Sequence, residues 1–146
     1  MGFLSAVTAG LVGRPERLPE TLLAHFPDLA GMRVRRGGLP LRVGGWFLGR
    51  ASVAGITLYR TVWLAPGARW DPGLLLHELR HVHQFEADAL FPLRYCWASL
   101  TRGYRRNPYE LDAVAYADRC LRGAAAPAPT SPQDASSWSS TPPPRS

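Results

Sequence analysis

The sequence contains no lysine, so its formal net charge of +6 is carried entirely by arginine. The 17 basic residues are spread along the chain and form no run of five or six of the kind that marks a nucleic-acid tail. Nucleic-acid binding is therefore not expected, and an arginine-rich nucleic-acid-binding protein is the least favoured functional interpretation. A weak attraction to phosphate groups or to membrane surfaces stays open, because a basic surface has it in general.

Cysteine is scarce as well, and the two that are present, Cys96 and Cys120, lie far apart without C-x-x-C spacing. This excludes a disulfide framework and a zinc ribbon, and it favours two small buried hydrophobes in a reducing compartment. Long hydrophobic runs are also missing. The apolar N-terminal stretch is too short to span a membrane and has no positive region ahead of it, as a signal peptide would. We expect no membrane span and a cytoplasmic location.

The composition indicates one soluble globular domain, with 46% hydrophobic and 19% charged residues in a chain of 146. Residues 123–146 differ from the rest: they hold six prolines and six serines and lack large aliphatic side chains. Such a segment cannot bury enough apolar surface to offset its chain entropy. The sequence therefore predicts a folded domain over residues 1–122 and a disordered Pro/Ser/Ala-rich tail over residues 123–146.

Hydrophobic patterning predicts an α+β fold, in which a small N-terminal β-strand region is followed by three helices. Residues 51–64 carry a strand signal, because β-branched and aromatic residues alternate with aliphatic ones over residues 56–64, which predicts two short strands or a hairpin broken near Gly55. Glycines and a proline within residues 33–43 indicate a turn flanked by extended pieces, and a short helix is expected over residues 20–26.

Two helix starts are marked by a capping residue followed by proline, at Asp71-Pro72 and at Asn107-Pro108. The first helix is expected to run to about residue 90. The second is expected over residues 93–106 and carries an apolar stripe that includes Trp97 and Leu100. The third should end near residue 121, before Gly123.

The first of these helices carries the segment HELRH, residues 77–81, which matches the H-E-x-x-H pattern. His77 and His81 lie one helical turn apart on one face, so both imidazoles can bind one Zn²⁺ at roughly 2.0–2.1 Å. Glu78 points to the side, where it can reach water at the metal. His83 lies well off this face and is left out of the ligand set.

A plainer interpretation is an exposed helix with solvated polar residues. The leucines before and between the histidines argue against it, because they indicate a buried element. Two histidines that face a core without a partner would be costly, so the pattern favours a metal site.

A catalytic zinc needs a third protein ligand, and no further histidine is well placed for that role. Glu86 and Asp88 lie too far along the same helix. Glu110, in the first turn of the third helix, is the favoured third ligand, and Asp112 is the fallback. Glu110 also has capping-box spacing from Asn107, so it could instead reach back to the Asn107 backbone.

The segments HELRH and ELDA, residues 110–113, resemble the gluzincin metallopeptidases, which place HExxH on one helix and a glutamate on a later one. The segment NPYELDA, residues 107–113, is similar to that of small bacterial HExxH proteins, among them those of the DUF4157 type. The resemblance covers roughly residues 57–118 and implies a zincin-like fold of minigluzincin size. The chain departs from the pattern at Val114, where many gluzincins have an aspartate that orients a histidine.

The resemblance implies a zinc metallopeptidase that acts on a peptide or protein. Zn²⁺ held by His77, His81 and Glu110 would lower the pKa of its water towards about 7, and Glu78 would act as the general base. The strand within residues 57–64 is expected to pair with an extended substrate. Candidates for stabilising an oxyanion are His83, Tyr109 and Tyr116. The alternative is a non-catalytic protein in which zinc stabilises a small core that binds a partner.

Overall fold

The computed structural model describes residues 11–47 and 54–125. It confirms the α+β class: a small sheet is followed by three helices. The strands are β1 (Arg14–Glu16), β2 (Arg33–Arg36), β3 (Gly55–Leu58) and β4 (Thr61–Leu64). Their order in the sheet is β1-β2-β4-β3, with β2 parallel to β4 and the other neighbours antiparallel. Strand β3 is thus at one edge of the described sheet.

The described helices comprise two short ones among the strands and three longer ones after them. They are α1 (Glu20–His25), α2 (Leu39–Phe47), α3 (Pro72–Ala87), α4 (Phe91–Arg102) and α5 (Pro108–Ala125). Short 3₁₀ turns cover Pro27–Gly31 and Tyr104–Arg106. No helix within the described residues is long and apolar enough to cross a membrane.

Both predicted helix starts are confirmed. The Asp71 Oδ1 atom accepts a hydrogen bond from the Gly73 backbone N–H at 2.9 Å, and Pro72 opens α3. In the same way, Asn107 Oδ1 accepts from the backbone N–H of Tyr109 at 3.0 Å at the start of α5. These caps form because each side-chain oxygen reaches an N–H that the helix itself leaves unpaired.

The predicted helix ends were less accurate. Helix α3 ends at Ala87 rather than near residue 90. Helix α4 ends at Arg102 because Gly103 adopts a φ of 79°, which breaks the helix four residues before the predicted end. Helix α5 continues through Gly123 to Ala125. The remainder of the predicted tail lies outside the described residues.

Two predictions about the strand region were wrong in detail. A turn does form at Gly37 and Gly38, which have φ values of 67° and 102°, but the next element is helix α2 and not an extended piece. Proline is tolerated in the first turn of a helix. Packing of α2 against β3 and β4 stabilises the helix although its sequence has a low helix propensity. The hairpin turns at Tyr59 and Arg60, whereas Gly55 begins β3.

Helix α3 lies at the centre of the fold, between the sheet and α5. One of its faces buries leucines 75, 76 and 79 against Val62 and Leu64 of β4 and Val34 of β2. Ala113 and Ala117 of α5 are buried where the two helices pack. Small residues allow this close approach, which brings the first turns of α5 to the face of α3 that carries the histidines.

Candidate metal centre

Three ligand-type side chains converge between α3 and α5, and they are the three that the sequence predicts: His77, His81 and Glu110. The two Nε2 atoms of the histidines lie 3.1 Å apart. Glu110 faces both rings, with Oε2 at 3.3 Å from His77 Nε2 and Oε1 at 3.2 Å from His81 Nε2. Glu110 and His81 are buried and His77 is partly buried, so the group is shielded from most of the solvent.

These distances fit a tetrahedral zinc site. Ligand bonds of 2.0–2.2 Å at tetrahedral angles place neighbouring donor atoms about 3.3–3.6 Å apart. The three distances of 3.1, 3.2 and 3.3 Å are at or just below that range, so a small outward movement of the donors accommodates the ion. The described residues supply three donors, which leaves the fourth position for a water or substrate atom.

The tautomer of His81 also suits a metal. Gln84 donates from its Nε2 to the Tyr109 backbone carbonyl at 3.1 Å and to Asp112 Oδ2 at 2.9 Å, and both partners can only accept. The Gln84 oxygen therefore faces His81 Nδ1, at 2.8 Å, and the ring must donate its Nδ1–H. In neutral His81 this leaves the Nε2 lone pair directed at the centre of the group.

The lone pair of His81 then faces an acceptor, because the nearest Glu110 oxygen is a carboxylate oxygen. Two acceptors at that distance require a cation between them, either a proton or a metal ion. The pKa of His81 agrees: burial lowers it, but the hydrogen bond to Glu110 and the charges of Glu78 and Glu110 outweigh burial and raise it. The side chains of His77, His81 and Glu110 are thus arranged to bind a cation between them.

Glu110 does not act as the capping residue that its spacing from Asn107 allows. Its carboxylate faces the histidines and accepts a hydrogen bond from the Tyr95 hydroxyl at 2.6 Å. Burial would raise the pKa of Glu110, but the hydrogen bonds from His77, His81 and Tyr95 outweigh burial and hold it well below its usual range. Glu110 is thus a carboxylate, the form that binds a metal.

Asp112, the fallback ligand, points away from the histidines. Its Oδ2 atom accepts from Arg80 Nε at 2.6 Å and from Gln84 Nε2. Arg80 and Gln84 hold the pKa of Asp112 below its usual value against the opposing effect of burial. Asp112 therefore orients Gln84, which in turn orients His81.

Gln84, and not a residue at position 114, orients His81. Sequence reasoning missed Gln84, although it lies seven residues after His77 and three after His81, on the same helical face. It missed Tyr95 too. The three oxyanion candidates, His83, Tyr109 and Tyr116, do not line the cavity that opens beside His77, His81 and Glu110.

Glu78 lies beside the metal group in a fixed position. The Thr57 hydroxyl, on edge strand β3, donates to Glu78 Oε2 at 2.6 Å. A Cβ atom added to Gly55 would lie 2.9 Å from Glu78 Oε1, so the first residue of β3 leaves room for the carboxylate only because it is glycine. Burial raises the pKa of Glu78, while His81, Thr57 and His77 oppose this effect. A carboxylate with a raised pKa is suited to accept and release a proton.

A cavity of about 230 Å³ opens next to these groups. The polar end consists of His77, Glu78, His81 and Glu110. The rest of the lining is mostly apolar and comes from β3, the end of α3, the inner face of α4 and the 3₁₀ turn that follows it. It includes Ile56, Leu58, Phe85, Phe91, Pro92, Tyr95, Cys96 and Tyr104. An apolar pocket that ends in a few convergent polar groups is the usual form of a ligand site.

We expect Gln84→Leu to lower the metal affinity of this group about ten- to a hundredfold, because His81 then loses the acceptor that fixes its tautomer. Competition with a chromophoric chelator measures this affinity. Glu86→Gln on an exposed part of the same helix is the matched control and should leave affinity unchanged. Equal affinities for the Gln84 variant and the parent would mean that Gln84 does not position His81.

The comparisons with known proteins returned nothing: no family model, no curated protein and no solved structure matches the chain. A function can therefore be inferred only from the residues of the site and their geometry.

Proposed function

We propose that the protein is a zinc-dependent hydrolase of the metallopeptidase type. The observation that carries the proposal is the convergence of His77, His81 and Glu110, with the buried carboxylate of Glu78 beside them. Two imidazoles and one carboxylate are the protein ligands of zinc peptidase sites that keep an open position for water. The α+β fold with the HExxH helix at its centre is compatible with a zincin-like, minigluzincin-sized domain.

Zinc would be held by His77 Nε2, His81 Nε2 and Glu110. When bound, it supplies Lewis acidity that polarises a carbonyl and makes water more acidic. The nitrogen-rich donor set favours zinc over magnesium or calcium, which prefer all-oxygen coordination.

Glu78 would serve as the general base. Its carboxylate accepts the proton of the attacking water and then delivers it to the leaving nitrogen of the scissile amide. Thr57 holds one carboxylate oxygen by a hydrogen bond, which leaves the other, Oε1, to receive the proton. Burial keeps bulk water away from this carboxylate and raises its pKa, so it is a stronger base towards the attacking water than an exposed glutamate.

The peptide would lie along β3. Within the described sheet this strand pairs only with β4, so its outer edge offers main-chain groups to an extended chain. The apolar cavity beside His77 and Glu78 would take a substrate side chain next to the scissile bond. Its size and its aromatic lining favour an aliphatic or aromatic residue.

The alternative is a non-catalytic, zinc-stabilised binding protein. A zinc ion with a purely structural role is normally enclosed by four protein ligands. Here the described residues supply three, and a cavity opens next to them, which favours catalysis. The raised pKa of Glu78 supports the same choice, since a structural site needs no buried carboxylate beside the metal.

Metal analysis of the purified protein tests the proposal. We expect one zinc per chain in the parent protein and no zinc in the His77→Ala variant, with His83→Ala as the matched control on the same helix. His83 packs on the Tyr116 ring instead of facing the group, so its loss should leave zinc bound. A parent protein that takes up no zinc when it is supplied would refute the proposal.

The hydrogen bond from Thr57 to Glu78 provides a test of the general base. Thr57→Val keeps the shape of the side chain but removes the hydrogen bond that lowers the pKa of Glu78. The base is then protonated up to a higher pH, so the acid limb of the rate profile should move to higher pH. The pH dependence of kcat/KM on a fluorogenic peptide measures the shift, and an unchanged acid limb would mean that Glu78 is not the titrating base.

A further inference from the structure

We propose that the outward face of α4 docks on an anionic phospholipid bilayer. Leu93, Trp97 and Leu100 are 70%, 70% and 74% exposed and follow one another at helical spacing. Leu90, just before the helix, extends the row and is 52% exposed. We call these four residues the apolar ridge. Helices in soluble domains turn such a row inward, whereas α4 turns it to the solvent.

The inner face of α4 already has its own partners, so the ridge is not a misplaced core. Phe91 and Ala98 are buried, and Tyr95 donates its hydroxyl hydrogen to Glu110. Asn107 fixes the helix further, through hydrogen bonds from its Nδ2 to the Tyr95 carbonyl at 3.2 Å and to Ser99 Oγ at 2.8 Å. Rotation of α4 to bury the ridge would break all these contacts.

The charge around the apolar ridge indicates what kind of surface binds there. Between Asp88 and Glu110 the chain carries Arg94, Arg102, Arg105 and Arg106 and no carboxylate. Arg94 and Arg102 line a shallow groove together with Leu90, Leu93 and Trp97, so positive charge lies directly beside the apolar row.

Most of this charge is free to meet an outside partner. Arg102, Arg105 and Arg106 are exposed and, among the described residues, take part in no ion pair. Arg94 pairs with Asp88 at 3.1 Å.

Leucine and tryptophan flanked by arginine are what an interfacial helix presents to a membrane with anionic headgroups. A second copy of this chain is a poorer partner, because self-association through the ridge would bring two sets of four arginines together. An anionic bilayer satisfies both features at once: acyl chains receive the ridge, and phosphate groups meet the arginines. The surface lies apart from the metal group, so this inference does not depend on the proposed hydrolase activity.

Co-sedimentation of the full chain with phosphatidylcholine vesicles, with and without phosphatidylglycerol, tests the proposal. We expect binding to the anionic vesicles, loss of about tenfold in partitioning for Leu93→Ser or Trp97→Ser, and about fivefold for Arg102→Ser. The matched control is the pair Val43→Ser and Arg42→Ser on the exposed side of α2, and it should change nothing.

Insertion of the ridge has a separate signature. Vesicles with brominated acyl chains should quench part of the tryptophan emission, and Trp97→Phe should remove that quenching while it preserves binding. Absence of binding to the anionic vesicles would overturn the proposal. Equal losses for the α4 and α2 variants would also overturn it, because they would show that binding depends on net charge alone. Dimerisation in sedimentation equilibrium that disappears in Trp97→Ser would also overturn it in favour of a second copy.

Discussion

Replacement of Glu110 by glutamine should lower zinc affinity by at least about a thousandfold, well beyond the ten- to hundredfold cost of losing an outer partner. The amide keeps the size of the side chain and can still accept from the Tyr95 hydroxyl, so α5 should stay packed on α3. What the variant loses is the negative charge that faces both imidazoles. Equilibrium competition with a chelator, followed by metal analysis of the desalted protein, measures the effect.

Two further variants show whether the effect belongs to Glu110 alone. Glu110→Ala should also destabilise the metal-free fold by about 1–3 kcal/mol, because the Tyr95 hydroxyl and the histidines lose a buried partner. Asp112→Asn, next to it on α5, should weaken zinc binding only about tenfold, through Gln84. If Glu110→Gln retained zinc while Asp112→Asn lost it, the assignment of the third ligand would be wrong.

Glu78→Gln should reduce hydrolysis about a hundred- to ten-thousandfold and leave zinc bound. The amide fits the same space and can accept from the Thr57 hydroxyl through its oxygen. Because burial disfavours the charged form of Glu78, a neutral side chain should leave the thermal midpoint unchanged or raise it. Turnover of a peptide library, metal content and thermal unfolding together provide the measurement.

Glu86→Gln provides the control, since Glu86 lies two turns further along α3 and forms only an exposed ion pair with Arg60. Its activity should equal that of the parent. A zinc-loaded parent protein that cleaves no member of the library would favour the non-catalytic alternative. A Glu78→Gln variant as active as the parent would remove Glu78 from the mechanism while leaving the metal site intact.

The features that could be predicted from the sequence are those that depend on neighbouring residues in the chain. The caps at Asp71 and Asn107 act over two residues, so both helix starts could be read correctly. HExxH places its side chains within one helical turn, and His77, Glu78 and His81 lie as the spacing implies. The position of Glu110 required an assumption about how α5 packs on α3, and the structure agrees with it.

Features that depend on distant contacts were missed. Helix α2 forms where an extended piece was expected after the turn at Gly37 and Gly38, because packing on the sheet outweighs local propensity. Parallel pairing of β2 with β4 joins segments far apart in the chain, and no local pattern encodes it. Tyr95 looks like an ordinary apolar residue of α4 in the sequence, and only the tertiary structure brings its hydroxyl to Glu110.

Asn107 has a consequence for the chemical ageing of the protein. It is the only asparagine in the chain, it is fully buried, and its side chain ties α4 to the start of α5. Asparagine normally deamidates when the next backbone nitrogen attacks the side-chain amide, but here that nitrogen belongs to Pro108, which has no hydrogen to lose. The residue that holds Tyr95 and Glu110 in register is thus protected from this damage, and mass spectrometry after long incubation should find Asn107 intact.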